Sequence, residues 1–426
     1  MKVLLISANT EMMNMAVLPL GLASVARATQ DAGHTIHLVN LMDSKDEFAT
    51  LKTAFDTFAP DAIGISVRNI DDQAMDPPNF LLGPVKQIVA FCKENSAAPV
   101  IIGGAGYSIF PQAALDYLGA DMGIQGEGEN SFVKTLKRIE SNQPLSDVPG
   151  LYLPQKGIQC PIDIHAKIDA QRLPLPGVHM TIPPTFSDQP FYMPFQTRRG
   201  CPMNCSYCST GSIEGTILRK RSITDVVETL AIYKKAGFDY FFFVDNTFNF
   251  PQSYAMVLCD EIISKKLNIK WRCILYPWKI DEALAQKLSA AGCTDVSLGF
   301  ESGSLATLKQ LNKQFTPDDV RRVSKLLKKH GVNQLGFLLL GGVGETRDTA
   351  LESLEFADSL ELGLMQVTVG IRIYPNTPLA RQAVEQGVID KDDDLLMPKF
   401  YLKDDLKDWL HETVEKWVAD RPSWSS

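Results

Sequence analysis

The sequence predicts an α/β protein: a doubly wound parallel sheet (Rossmann-like), then a second α/β unit curled into a partial (β/α)6 barrel, then a small helical C-terminal segment. Three observations predict it. Short apolar runs alternate with amphipathic stretches from Lys2 to about Glu140, a proline-rich stretch interrupts them, and the alternation resumes after Pro194. Strands that alternate with helices are joined in parallel by crossover connections. A chain of 426 residues suits two to three domains at roughly 100–200 residues each.

In the first unit, residues 3–6, 35–39, 62–66, 100–102 and 122–125 read as strands, and residues 20–30, 47–58, 85–93 and 131–139 as amphipathic helices. Pro149, Pro154, Pro161, Pro174, Pro176, Pro183, Pro184 and Pro190 then crowd one segment. Proline fixes φ and removes a donor, so this segment is a linker with one short hairpin. Beyond it, Phe195 and residues 240–244, 270–275, 295–299, 334–340 and 366–373 read as strands; helices fill 223–236, 252–266, 281–291, 316–330 and 346–360. The expected division is 1–140, 141–193, 194–380 and 381–426. Ligands of such units sit beyond the carboxyl ends of the strands. In the last segment Leu406, Trp409, Leu410, Val414, Trp417 and Val418 share one helical face. Its polar face is net acidic, which favours capping a core over lying on a membrane.

The hydrophobic fraction of 45% and charged fraction of 22% are those of an ordinary globular protein. With 42 basic and 50 acidic side chains the net charge is −8, which gives no general attraction to nucleic acid or anionic bilayers. The start, Met1 to Ser7, is too short in apolar residues for a signal-peptide core, and no run approaches the roughly 18 apolar residues of a membrane span. A cytoplasmic location with reduced thiols is expected.

Of eight cysteines, Cys92, Cys160, Cys259, Cys273 and Cys293 are scattered, whereas Cys201, Cys205 and Cys208 fall within Arg198-Arg199-Gly200-Cys201-Pro202-Met203-Asn204-Cys205-Ser206-Tyr207-Cys208. A structural zinc site wants four ligands, commonly two separated pairs, and no second pair exists. A four-iron cluster normally has a cysteine on every iron, so three leave one iron open to a substrate or cosubstrate. A chance clustering of buried thiols is the bland alternative.

Gly200-Cys201-x3-Cys205-x-Tyr207-Cys208 resembles the signature of the radical SAM enzymes. The resemblance implies a 4Fe-4S cluster on Cys201, Cys205 and Cys208, whose open iron chelates S-adenosylmethionine (SAM) and cleaves it to a 5′-deoxyadenosyl radical. Later segments continue it in order: Phe243-Val244-Asp245-Asn246-Thr247-Phe248 is similar to the second-strand motif and Leu298-Gly299-Phe300-Glu301-Ser302-Gly303 to the fourth. The stretch from Phe337 to Thr346, with Gly341-Gly342, resembles the fifth-strand motif, and that from Arg372 to Leu379 the sixth. Implied SAM contacts are Tyr207, Glu301, Ser302, Gly341 and Gly342. Alone, Glu301 also reads as a strand-end salt-bridge partner and Gly341-Gly342 as a turn.

The first strand-to-helix turn, Ser7 to Val17, has no glycine, which argues against a simple nicotinamide site. The glycines come later, in Gly103-Gly104-Ala105-Gly106 and Gly126-Glu127-Gly128-Glu129. With Leu18-Pro19-Leu20-Gly21 these segments resemble the cobalamin-binding domain found ahead of many radical SAM domains; tight turns are the alternative. Implied cobalamin contacts are Leu20, Gly103, Gly104, Gly126 and Glu127, with Ser66, Arg68 and Asn69 at the corrin's lower face. The D-x-H-x-x-G motif that supplies a histidine ligand is lacking: Asp163-Ile164-His165 has its first spacing, but Ile168 stands at the glycine. His34 and His37 read as structural. Base-off binding without a histidine ligand is implied.

The function so implied is a cobalamin-dependent radical SAM methyltransferase acting on an unactivated carbon. The alternatives are a cyclisation or rearrangement enzyme of the same family, a methylthiotransferase-like enzyme, and a non-enzymatic corrinoid or iron–sulfur carrier. A small-molecule or lipid-like substrate and an electron donor such as flavodoxin or ferredoxin are the partners implied. Phe241-Phe242-Phe243, Trp271, Tyr276 and Trp278 read as core rather than as a substrate pocket.

Overall fold

The run Val3-Leu4-Leu5-Ile6 is wholly buried, as befits a strand covered by helices on both faces. It forms the heart of β1 (Lys2–Ser7). A computed structural model of the protein describes residues 1–11, 18–162, 167–168, 171–180 and 191–426. In chain order there follow α1 (Leu20–Asp31), β2 (Thr35–Asn40), α2 (Glu47–Phe58), β3 (Ala62–Ser66), α3 (Leu82–Asn95), β4 (Val100–Gly103), α4 (Ala105–Ile109), α5 (Pro111–Leu118), β5 (Met122–Ile124) and α6 (Gly128–Glu140). β1 to β5 are parallel, in the order β2-β1-β3-β4-β5. The direction of winding reverses between β1 and β3, so their carboxyl ends frame the crevice where ligands of such sheets bind.

The hairpin expected in the proline-rich segment exists as β6 (Leu151–Leu153) and β7 (Gly157–Ile158), and β6 pairs antiparallel with β5. It therefore extends the first sheet. Two helices, α4 and α5, escape the sequence pattern because each is too short to show a 3.6-residue period and Pro111 divides them. α3 starts three residues earlier than its pattern, since Pro84 is tolerated in a first helical turn.

The second unit runs β8 (Met193–Phe195), β9 (Arg198–Arg199), α7 (Thr210–Glu214), β10 (Arg219–Lys220), α8 (Ile223–Lys235), β11 (Tyr240–Phe243), α9 (Gln252–Ser264), β12 (Lys270–Leu275), α10 (Glu282–Ala290) and β13 (Cys293–Glu301). It continues with α11 (Leu305–Gln310), α12 (Pro317–Lys329), β14 (Asn333–Leu340), α13 (Arg347–Ser359), β15 (Leu364–Val369), β16 (Ile371–Arg372), α14 (Pro378–Glu385), β17 (Phe400–Tyr401), α15 (Asp404–Ala419) and β18 (Trp424–Ser425). Its sheet, β18-β15-β14-β13-β12-β11-β8, is parallel throughout with its strands in chain order, while β9 with β10 and β16 with β17 form separate antiparallel pairs. β8 and β18 lie at opposite ends of that order, so the sheet is an open, partial barrel.

The strand expected over 366–373 is two elements. Gly370, at φ +79°, turns the chain, and β16 leaves the barrel to pair antiparallel with β17. Ile371, Ile373, Leu379, Ala383 and Tyr401 then bury in the same apolar cluster as Leu4, Ile6, Ile63 and Ile65 of the first sheet. In the other direction Leu18 and Ala23 join the core of the second unit. The last helix caps that core through Leu406, Leu410 and Val414. Phe241, Phe243, Trp271 and Tyr276 are core residues, with Phe243 edge-on to Trp271 at 5.0 Å. Among the described residues no helix is long and apolar enough to cross a membrane.

Candidate active site

The cysteine loop leaves β9 through Gly200, at φ +86°, where a Cβ would lie 2.2 Å from the Ile217 carbonyl oxygen. Only glycine fits such an approach. The loop is pinned by the Cys201 N–H donating to Gly215 (3.1 Å), the Ser206 N–H to Leu311 (3.1 Å) and Asn312 Nδ2 to the Asn204 carbonyl (2.6 Å). Cys201 and Cys205 are half-buried and Cys208 is exposed, all as free thiols. Burial, aided by the other two cysteines, pushes the Cys201 thiol up to about 11, and burial raises Cys205 too. The three thus sense one another across one short loop, and three cysteines suit a four-iron cube in which each takes its own iron. Cys92, by contrast, is sealed in the first core.

Tyr207 and Glu301 are brought together by a lysine that no spacing rule singles out. Lys313 Nζ donates to Tyr207 Oη (3.0 Å) and Glu301 Oε1 (3.1 Å), hydrogen-bonds Cys205, and is 4% exposed. Burial works against its charge, but Glu301, Tyr207 and Cys205 beside it hold the ammonium well above the usual lysine range. Glu301 ends β13 at a register shift with φ +64°, a strained conformation for a side chain of its size. An anion and a cation side by side at Cys205 suit the zwitterionic end of an amino acid.

Ser302 lies elsewhere: its hydroxyl is fully buried, paired with Ser353 Oγ (2.8 Å) and accepting from the Ser304 N–H (3.1 Å). The N–H groups of Gly341 and Gly342 both donate to Glu345 Oε2, that of Gly342 at 3.1 Å. Burial raises the Glu345 carboxyl to about 7, the two N–H groups opposing, and its Oε1 has no hydrogen-bond partner.

Asp245 is an anchor for the strand before the cysteines. It accepts from the Thr197 N–H (2.7 Å) and Arg198 N–H (3.0 Å) and lies 3.3 Å from Arg198 Nε, all buried. Arg199 reaches the first unit: its Nη2 meets Glu129 at 2.6 Å and its Nη1 meets Glu127 at 3.3 Å, and Arg219 also pairs with Glu127. Burial opposes both charges, yet Arg199 holds the Glu129 carboxyl below its ordinary range and the two glutamates hold Arg199 above its own. Glu214 accepts from Gln196 (2.7 Å), Asn246 (2.6 Å) and the Gly200 N–H (3.1 Å), and burial raises it.

Between the units lies a cavity of about 490 Å³. One wall is the carboxyl end of the first sheet, with Leu20, Ser66, Arg68, Gly103, Gly104, Gly126 and Glu127; the other is α7 with Gln196, Arg199 and Asn246. Thr210 of that second wall is 3.2 Å from Cys208 Sγ, so the cavity borders the cysteine loop. Every cobalamin candidate but Asn69 lines it; Asn69 is half-buried beside it, with its Nδ2 unpartnered. Glu127, however, spends its carboxylate on the two arginines. Gly104, at φ +104°, has an imagined Cβ 2.5 Å from the Val67 carbonyl oxygen, so the turn and the open wall demand glycine together. The mouth fits a flat cofactor: bare backbone, a mainly apolar lining and one guanidinium, Arg68, that no hydrogen bond or ion pair engages among the described residues.

His34 contacts the chain N-terminus (3.3 Å) and His37 lies tilted against the Phe58 ring, with centroids 5.3 Å apart. The D-x-H spacing at residues 163–165 lies outside the described residues. Lys313, Glu129 and Glu214 were not legible in the sequence. Lys313 is twelve residues beyond Glu301, across a short helix, and its partners meet it only in three dimensions.

Residues 196–357 match the Radical SAM superfamily and residues 8–136 the B12 binding domain. An uncharacterized methyltransferase of Pyrococcus horikoshii is 26% identical, over 91% of this chain and 84% of its own. A tryptophan 2-C-methyltransferase of Streptomyces laurentii is 22% identical, over 89% of this chain and 74% of its own. The solved radical S-adenosylmethionine methyltransferase TsrM of Kitasatospora setae, with cobalamin and a [4Fe-4S] cluster bound, shares the fold at a TM-score of 0.82 and 22% identity, over 90% of this chain and 75% of its own. With a B12-binding sheet placed ahead of a three-cysteine partial barrel, the chain belongs to the cobalamin-dependent radical SAM family.

Proposed function

We propose that the protein is a methyltransferase that acts on an unactivated carbon of a small molecule. The observation that carries this reading is the shared cavity, whose one wall holds the cobalamin candidates and whose other wall includes α7, which begins two residues after Cys208. Cleavage of SAM at the cluster and delivery of a methyl group from the corrin are the chemistry these groups supply when bound. The chain's own residues hold and orient them. Cys201, Cys205 and Cys208 would each hold one iron. Glu301 and Lys313 would pair with the amino and carboxylate groups of SAM, while Gly341 and Gly342 let backbone approach its adenosine. Residues 1–140 would hold the corrin, 194–380 the cluster and SAM, with 141–193 as linker and 381–426 as cap. Base-off binding is the mode suggested by the incomplete D-x-H-x-x-G spacing, in which Ile168 stands at the glycine. A flavodoxin or ferredoxin in the cytoplasm would supply electrons.

The test is anaerobic reconstitution with iron, sulfide and cobalamin, followed by incubation with reductant and SAM carrying a deuterated methyl group. Label is expected on cobalamin and then on a small-molecule acceptor, with C208A losing the cluster's paramagnetic signal. A folded protein that takes up no corrin refutes the reading of the first unit. Full loading, with an acceptor rearranged but unlabelled, replaces methyl transfer by cyclisation or rearrangement.

A further inference from the structure

The loop after β3 carries Arg68 into the cavity, and its two ends are held by different halves of the molecule. Its first half belongs to the first sheet: the Val67 N–H donates to Gly103 (2.8 Å), and the Gly106 N–H donates to Val67 (3.0 Å). Its second half is gripped by the chain beyond the barrel. Asp71 Oδ2 accepts from Arg372 Nε at 2.8 Å, with each side chain 2% exposed. Met75 Sδ sits 2.5 Å from where a Cβ on Gly370 would be, so the two segments are in close contact.

Arg372 itself is fixed on every side. Its Nη1 donates to the Ile373 carbonyl (2.7 Å) and its Nη2 to the Leu395 carbonyl (2.8 Å), while the guanidinium lies 5.3 Å from the Tyr374 ring centroid and 5.5 Å from that of Phe110. A planar fork so held is a rigid reference point, unlike a lysine on a flexible stem. Arg68, three residues before Asp71, has no partner of its own among the described residues to fix it. Its location in the cavity is therefore set by its backbone, and that backbone is set in part from residue 372.

We propose that Arg372 is a positioning residue for the cofactor cavity of the first unit: through Asp71 it fixes the loop that presents Arg68, so that the corrin site is completed by the chain that follows the barrel. The inference rests on the assignment of that cavity to cobalamin. It also gives the segment that leaves the barrel at β16 a task in the first unit, since movement at β16 is transmitted to the corrin loop.

The experiment uses the full-length chain, anaerobic equilibrium dialysis with cobalamin, and the paramagnetic spectrum of bound cob(II)alamin. R372M is expected to weaken cobalamin binding at least tenfold and to broaden the cob(II)alamin signal, with iron and sulfide uptake at the cluster unchanged. R372K, which keeps the charge but loses the fork, should fall in between. Because a lone buried aspartate can unfold the protein, D71L/R372M is made in parallel, as replacing both partners by apolar groups spares folding. Its cobalamin affinity should match that of R372M. A folded D71L/R372M or R372K protein with wild-type affinity and spectrum overturns the proposal. Wild-type protein that assembles its cluster and binds no cobalamin overturns the cavity assignment instead.

Discussion

Replacing Glu345 by glutamine should stabilise the protein above neutral pH and leave it nearly unchanged near pH 5. The carboxyl is 1% exposed, with one oxygen bound to two backbone N–H groups and the other unpartnered. Its ordinary value of 4.5 is raised by burial to about 7. Between these values the folded protein keeps a proton that the unfolded chain has released, so stability falls as pH rises from 4.5 to about 7 and levels off beyond. At 1.36 kcal/mol per pH unit that gap is worth about 3 kcal/mol. Glutamine has the shape of the protonated acid, its carbonyl accepts the same two N–H groups, and its amide takes the unpartnered oxygen's place. The unsatisfied amide donor costs about 1 kcal/mol, as does the acid's own hydroxyl, so the two nearly cancel at pH 5. Urea unfolding of the apo protein and of E345Q at pH 5, 6, 7 and 8.5, followed by circular dichroism and tryptophan fluorescence, measures the difference. A gap between the two proteins that does not change with pH, or an E345Q less stable than wild type at pH 8.5, refutes the reasoning.

Two further outcomes are expected. E129Q removes the shorter of the two ion pairs that Arg199 makes among the described residues, and should lower unfolding stability by about 2–4 kcal/mol in denaturant titrations at pH 7, most of the cost being a buried guanidinium left only partly compensated by Glu127. K313M removes the hydrogen bonds to Tyr207 and Glu301, and should weaken SAM binding to the reconstituted protein by tenfold or more in equilibrium dialysis.

What the sequence could reveal was what recurs locally. The apolar runs at Val3 and Ala62 became strands within a residue of their expected ends, and helices with Asp or Thr caps, such as α2 behind Asp46 and α12 behind Thr316, began where the pattern placed them. Cysteine spacing and late glycines carried chemistry for the same reason: tight loops need particular residues at particular steps. Contacts made across long separations left no such trace. The Arg199–Glu129 pair spans 70 residues and the Arg372–Asp71 pair 301, and although both arginines stand in segments the sequence singles out, nothing local names the carboxylate that each one meets. Ser302 shows the converse, since its place in a motif said nothing about its side chain turning inward to Ser353.

The return of residues 371–401 to the first sheet bears on how the protein is made. Ile371, Leu379 and Tyr401 complete an apolar cluster whose other members begin at Leu4. A nascent chain therefore emerges from the ribosome with one face of its N-terminal half bare until nearly the whole sequence has been translated. Long-range closure of this kind is slow, and bare apolar surface is prone to aggregation in the interval. Expression of the N-terminal half alone would lengthen that interval indefinitely, so truncated versions should need a chaperone or a graft of the C-terminal strap to remain in solution.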